Sequence, residues 1–443
     1  MSAAAMATTA ATAATAAAAL RRIPRASVAG WVLYDLANTI FSLNIVSLYF
    51  SLWVVNVMRG GDANYGFANS VSMAVIFVAS PLLGALTDQA PRRLPFLVVS
   101  TLACIGLTLL LGQGGLVGSL VAFAAANVAY QAGLQFYDAL LPEVSTEENR
   151  GTIGGIGIGV GYLGSLIGIA VGSTLLRGVD ALPPAAQSAR YVTVFQVTAV
   201  LFLLFALPCF LFVRERPKRD RRFTLASVGA AARQVGTTLR SAGRYPDLMR
   251  FLVGRVFYTD AVNTVIVFMS VYVTNEVGFS TAQAQGVLLV AIVCAVAGGF
   301  VWGRVVDRIG PKRTLDAVLF LWMAIFVATA AIGFLKLPGA LFWPIACLAG
   351  VALGGTWTAD RPYMLRLTPP DRIGEFYGLY GMVGRFAAVT GPLVWALVAD
   401  TLGLGRPAAV LTLLAGIVAG YAILRPVSDA RRAWPAAAVG SGQ

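Results

Sequence analysis

The sequence predicts an all-α membrane protein of twelve transmembrane helices in two six-helix lobes, with the N- and C-termini cytoplasmic. Three observations carry this. The 443 residues are 58% hydrophobic and only 12% charged, with a mean hydropathy of +0.77. A soluble domain averages about 25% charge, so the solvent for most of this surface is lipid. The apolar residues gather into twelve runs of about 20 residues, the length that spans a bilayer as a helix. Finally, charged motifs of the first half recur in order in the second.

The chain opens with a tail, residues 1–28, whose first 20 positions are nearly all Ala, Thr, Ser and Met. Arg21, Arg22 and Arg25 follow it, the reverse of a secretory signal, so the expectation is a disordered cytoplasmic tail. Met6 is an alternative start, and a role in targeting is a further reading. The first lobe takes residues 29–213, with runs at 29–56, 66–87, 94–112, 116–141, 152–177 and 191–213. Residues 214–250 read as a basic cytoplasmic inter-lobe loop, with ten Lys/Arg against Glu215, Asp220 and Asp247. The second lobe takes residues 251–425, with runs at 251–273, 284–306, 315–335, 340–360, 374–400 and 408–425, and residues 426–443 form a cytoplasmic tail. On this topology 26 of the 33 Lys/Arg lie on the cytoplasmic side. Only Arg59, Arg177, Arg190, Lys336 and Arg406 lie opposite, a strong positive-inside bias.

Composition also excludes chemistry. There is no histidine, which removes Ser-His-Asp and Cys-His nucleophile systems, zincin metal sites and His-ligated haem. Cys104, Cys209, Cys294 and Cys347 lie far apart inside apolar runs and read as small hydrophobes, neither ligands nor disulfides. The net charge of +13 is distributed between apolar runs, which suits a membrane surface better than nucleic acid. No cofactor and no metal is expected, and the chain does not read as an enzyme.

The internal repeat has three parts. Asp35-x-x-Asn38-Thr39 recurs as Asp260-x-x-Asn263-Thr264, at an offset of 225. Gly84-x-x-x-Asp88-x-x-x-Arg92-Arg93 recurs as Gly303-x-x-x-Asp307-Arg308, continuing to Lys312 and Arg313, at an offset of 219. Asp138 and Arg150 match Asp360 and Arg372 at an offset of 222. A parallel repeat of six spans is the architecture of one large class of transporters. In the Gly-x-x-x-Asp motif, the Gly lets two helices approach before a tight turn. The Asp can accept hydrogen bonds at a neighbouring helix N-terminus, and the basic residues can bridge to adjacent helices. Such contacts would hold one conformation and break in another; an ordinary charged turn is the simpler alternative.

The sequence resembles the major facilitator superfamily, and within it the vacuole-effluxer-like family whose fungal members are linked to autophagy. GRVVDRIGPKR at 303–313 is similar to the superfamily signature between the second and third spans. The family resemblance rests on GWVLYDLANTIFS at 30–42, QFYDALLPEVS at 135–145, RGTIGGIGIGVGYLGS at 150–165, FYTDAVNTVIVF at 257–268 and GEFYGLYGMVGRFAAVTGPL at 374–393. These cover both halves. The chain departs from the pattern at DQAPRR (88–93), which lacks the basic residue after the Asp, and at the charged GGTWTADRPYM (354–364) of the tenth span. The resemblance implies a two-lobed, alternating-access fold and the export of amino acids or similar small metabolites.

Charged residues inside spans are costly and face a cavity or a partner. By depth, Asp35, Asp138, Arg255, Asp260, Asp360 and Arg361 fall near the cytoplasmic ends of helices that line the central cavity in the implied fold. Two roles compete for them: a gate of Arg–Asp pairs, favoured for Arg255 and Arg361, and proton coupling, favoured for Asp35 or Asp260. Permanent pairs or helix caps are the structural alternative. Arg385 sits near mid-membrane and would hold a substrate carboxylate or phosphate, or else a buried Asp. Asn38, Asn44, Gln131, Gln135 and Asn263 are the neutral candidates for substrate contact, and Asn127, Tyr258, Tyr272 and Trp357 could add polar and aromatic walls. The seven glycines of the fifth span, from Gly154 to Gly168, suit close packing between lobes; no Gly-Lys-Ser/Thr end marks a nucleotide loop.

The expectation is therefore a monomeric, multi-pass secondary active transporter of the plasma (inner) membrane, coupling protons to the export of amino acids or similar small molecules. Its partners are that substrate, protons and the lipid bilayer, with no nucleic acid. The rival readings are proton-coupled uptake of a sugar or other nutrient and a membrane sensor that has lost transport.

Overall fold

The computed structural model describes residues 23–215, 225–240 and 242–430. Among these, eleven helices are long and apolar enough to cross a membrane, and Leu94–Leu109 is a shorter apolar helix in the third position. The twelve are α1 (Arg25–Val57), α2 (Gly61–Gln89), α3 (Leu94–Leu109), α4 (Gly115–Asp138), α5 (Arg150–Leu175), α6 (Pro184–Phe212), α7 (Pro246–Asn275), α8 (Thr281–Ile309), α9 (Pro311–Leu335), α10 (Phe342–Leu367), α11 (Ile373–Ala396) and α12 (Arg406–Leu424). Twelve alternating crossings bring the start of α1 and the end of α12 to one end of the bundle, called here the termini end. The first 22 residues and the last 13, expected to be tails, lie outside the described residues.

Local chemistry sets the helix limits. Pro opens α6, α7 and α9, where the missing N–H costs nothing. At the start of α8, Ser280 and Gln283 form a reciprocal capping box. Gly310 has φ +93, which lets the chain turn from α8 straight into α9 without the steric cost a side chain would carry. The third apolar run reached 112, but α3 stops at Leu109 because Gly112, at φ +83, already belongs to the turn.

Each lobe buries an aromatic core while large apolar side chains such as Phe67, Val78, Val99 and Leu393 face outward, as lipid solvation allows. In the first lobe Phe50 stacks on Phe123 at 4.6 Å and Trp31 on Tyr137 at 4.6 Å. The lobes meet along two symmetry-related helix pairs, α2 with α11 and α5 with α8. Glycine makes both approaches possible: a Cβ on Gly84 would strike the Gly374 carbonyl, and one on Gly155 would strike that of Gly299. The glycines of α5 split between two faces. Gly151, Gly155 and Gly159 pack on α8 across the lobe boundary, whereas Gly157, Gly161, Gly164 and Gly168 pack on α1 within the lobe.

The segment between lobes is more than a loop. Residues Leu225–Arg240 form a helix that packs against α2. The charge count of the whole segment hid it, because its basic residues concentrate outside this Ala-rich stretch. Gln234 accepts from Gln89 Nε2 at 2.6 Å and donates to Glu375 at 2.7 Å, so one amide touches both lobes.

Candidate functional site

A cavity of about 460 Å³ lies between the lobes, lined by α1, α2, α4 and α5 on one side and α7, α10 and α11 on the other. Five of the six charged residues expected in one layer do gather at its termini end. They form two networks, divided between the adjacent residues Asp360 and Arg361. Asp360 is fully buried and accepts from Arg255 Nε at 2.9 Å, Tyr258 OH at 2.6 Å and Tyr380 OH at 2.7 Å. Arg255 also donates to the Tyr380 carbonyl and lies over the Tyr380 ring at 3.5 Å. All these residues belong to α7, α10 and α11, so parting the lobes leaves this network intact. Arg255 therefore spans no lobe boundary, unlike the gate expected of it.

Arg361 points the other way. Its Nε lies 3.0 Å from Asp138 and its Nη1 3.4 Å from Asp35, both in the first lobe. Two carboxylates thus share one guanidinium across the lobe boundary. Asp260 does not join the layer. It sits deeper along α7, half-buried, and accepts a hydrogen bond from Thr390 on α11. Depth along the seventh span placed it in this layer, but the helix face it occupies points at α11 and away from the cavity.

The neutral candidates separate in the same way. Asn38, Gln131, Gln135 and Asn263 line the cavity. Gln135 donates to the Ser80 carbonyl at 2.9 Å. Asn44 does not line it: its amide donates to Thr198 on α6 at 3.0 Å, inside the first lobe. Asn127 is likewise spent on Asn69 and Ser72 of α2. Trp357 lines the cavity, whereas Tyr272 bonds the Thr329 carbonyl outside it. Arg385 on α11 donates to Ser80 Oγ at 2.5 Å and to the Gln131 carbonyl at 3.0 Å, both in the first lobe. Sequence reasoning missed Tyr130, Tyr162 and Thr259 of this cavity, and Ser80, the hydroxyl that Arg385 holds. Ser80 was detectable only as one polar residue beside Pro81 in an apolar run.

Beyond the cavity, the paired motifs fasten the lobes at the termini end. Asp88 accepts from the backbone N–H of Gly374 at 2.9 Å and of Glu375 at 2.8 Å, at the N-terminus of α11. Asp307 accepts from Gly151 at 2.7 Å and Thr152 at 2.8 Å, at the N-terminus of α5. Unpaired N–H groups and the helix dipole both favour a carboxylate there. Arg93 holds Asp88 at 3.1 Å, while Arg92 and Arg308 are exposed and Lys312 bonds Asp316 at 2.5 Å. The basic residues therefore differ between the copies although the carboxylates match.

A second matched pair escaped the sequence reading. Glu215, just beyond α6, accepts from the N–H of Arg93 at 2.5 Å and Leu94 at 2.8 Å, capping α3. Asp429, just beyond α12, accepts from the N–H of Lys312 at 3.4 Å and from Arg366 at 2.8 Å, capping α9. Burial pushes the Glu215 carboxyl up from its ordinary range, and the two backbone donors and Arg93 offset this only in part.

Comparison with known proteins agrees with this architecture. Residues 143–437 match the family described as "Vacuole effluxer Atg22 like". An uncharacterized MFS-type transporter of Bacillus subtilis, YxiO, is 26% identical over 413 residues, covering 90% of this chain and 94% of its own. Autophagy-related protein 22-1 of Neosartorya fischeri is 27% identical over 283 residues, covering 58% of this chain and 44% of its own. Among solved structures, the major facilitator superfamily transporter FucP in the outward conformation superposes with a TM-score of 0.73 at 14% identity, over 92% of this chain and 98% of that one. A bacterial homologue of the iron transporter ferroportin, in an outward-facing state, gives 0.68 at 17%, over 91% and 98%. Two lobes joined by paired carboxylate-to-helix contacts around a charged cavity thus accompany a match over most of the chain: the protein is a multi-pass membrane transporter of the major facilitator superfamily, and it belongs to the vacuole effluxer Atg22-like family.

Proposed function

We propose that this secondary transporter couples protons to the export of amino acids or similar small metabolites across the plasma (inner) membrane, acting as a monomer with its termini end in the cytoplasm. The observation that carries the reading is the sharing of Arg361 by Asp35 and Asp138 across the lobe boundary. In this conformation the termini end is fastened by that triad and by the Asp88 and Asp307 contacts. Opening the termini end separates Arg361 from its carboxylates. A carboxylate deprived of its guanidinium in a low-dielectric site binds a proton more readily. Proton binding at Asp35 or Asp138 therefore favours the state in which the lobes part there, and proton release favours the return. This is the alternation that coupled transport needs. Asp260, bonded to Thr390 within its own lobe, fits a structural role better than the coupling one. The orientation is supported by the 26 Lys/Arg on the termini side, and the direction of transport by the description of the family as effluxers.

The test is proton movement in proteoliposomes carrying an internal pH dye, under a screen of amino acids and other small carboxylates. The native chain is expected to move protons only with substrate. Asp35→Asn is expected to abolish that movement while leaving exchange of labelled substrate between the two sides. Substrate-linked proton movement that persists in both Asp35→Asn and Asp138→Asn would remove the coupling role from this triad.

A further inference from the structure

The three guanidiniums that reach the cavity have unequal partners. Arg255 holds Asp360, and Arg361 holds Asp35 and Asp138. Arg385 is only 8% exposed, yet its hydrogen bonds end on neutral oxygens: Ser80 Oγ, the Gln131 carbonyl, and Gln131 Oε1 at 3.5 Å. Its buried Nε has no partner. A buried guanidinium without a counter-ion is costly, and it cannot escape the cost by losing its proton. A second group in the same cavity is also unsatisfied. Asn38 is 2% exposed, lines the cavity, and leaves both its amide oxygen and its amide nitrogen without a partner. Thr259 Oγ1, another lining atom, is unpartnered too. Tyr130, Tyr162 and Trp357 supply aromatic walls.

We propose that Arg385 receives the anionic group of the substrate, a carboxylate or phosphate on a compact polar molecule, and that Asn38 takes a neutral donor–acceptor group of that molecule, such as a hydroxyl. This deepens the transporter reading and rests on it. It also assigns Arg385 a part in the conformational change. Its present acceptors lie on α2 and α4 of the first lobe, while Arg385 itself lies on α11 of the second. An anion reaching the guanidinium displaces neutral acceptors with a charged one, which bonds more strongly. A substrate oxygen that takes over Nη1 or Nη2 does so at the expense of a bond between lobes, while Nε is free to add a further bond to the anion. Loading the site loosens the lobes at mid-depth, and an empty site keeps them clasped there.

The inference is tested by equilibrium binding to the purified full-length protein, followed by tryptophan fluorescence and by the unfolding temperature. The probes are L-lactate, glycerol 3-phosphate and inorganic phosphate, with the uncharged counterparts lactamide and glycerol. The acids are expected to bind saturably, and the uncharged counterparts about ten- to a hundredfold more weakly. Lactate against inorganic phosphate tells which anion the site prefers. Arg385→Gln should erase the preference for acids, and Arg385→Lys should retain part of it, which carries the test if the Gln variant fails to fold. Asn38→Ala should weaken lactate binding and leave inorganic phosphate unchanged. The proposal is overturned if lactamide or glycerol binds as tightly as its acid, if Arg385→Gln keeps the preference, or if no anion raises the unfolding temperature. Acids that bind but never cross a proteoliposome membrane would support this site and count against the transport reading. Neutral solutes carried while anions are ignored would do the reverse.

Discussion

Asp360 and Arg361 are neighbours in sequence and serve different bonds. A helix sends adjacent side chains about 100° apart, so one of them closes a network inside the second lobe and the other reaches the first lobe. Their substitutions should therefore read differently. Arg255→Leu leaves the fully buried Asp360 without its cation and is expected to cost about 3–5 kcal/mol of stability, seen as a lower unfolding temperature in every conformational state. Arg361→Leu is expected to shift the balance between conformations instead, raising cysteine reactivity at cavity positions from the termini side. A fall in unfolding temperature for Arg361→Leu as large as for Arg255→Leu, with no change in reactivity, would make both pairs merely structural. The motif spelling marked these residues as a set. It could not separate them, because which lobe a side chain meets depends on how the helices are rotated.

At the scale of elements, the decisive contacts join the end of one helix to the start of another. Asp88 and Asp307 each accept two backbone N–H groups at the head of a helix in the opposite lobe. Replacing either by Ala removes two charge-assisted bonds and is expected to weaken the closed termini end by about 2 kcal/mol, roughly thirtyfold in the ratio of closed to open forms. The two contacts lie on different helix pairs, so the double variant should show close to the summed effect. The measurement is cross-linking yield between cysteines introduced across the α2–α11 and α5–α8 contacts. An unchanged yield in the double variant would show that the glycine packing alone closes this end. The Gly-x-x-x-Asp spacing was legible in sequence because it is local. Glu215 and Asp429 were not legible, since a lone carboxylate beyond a helix identifies no partner until the chain has folded back on itself.

The whole molecule is a duplicated six-helix unit, and its charge pattern predicts an orientation. With 26 Lys/Arg assigned by the sequence to the termini side and 5 to the other, the termini end is expected to face the cytoplasm. In a background without the four native cysteines, a cysteine at the exposed Arg92 should resist a membrane-impermeant thiol reagent added to intact cells. A cysteine at the exposed Lys336 should react with it. The opposite pattern would invert the topology and with it the proposed direction of the proton cycle.

The sequence by itself determined the lipid solvent, the twelve spans, the duplication and the carboxylates available for work. These follow from composition, run length and local spacing, and none of them requires knowing which helix lies beside which. Tertiary structure alone decided which candidates meet. It turned Asn44 and Asp260 away from the cavity, set Arg255 and Arg361 to different lobes, and left Arg385 and Asn38 unsatisfied at the centre. The physical reason is that a membrane helix is apolar nearly all round. Its hydrophobic pattern does not say which face turns inward, and only packing against its neighbours settles that rotation.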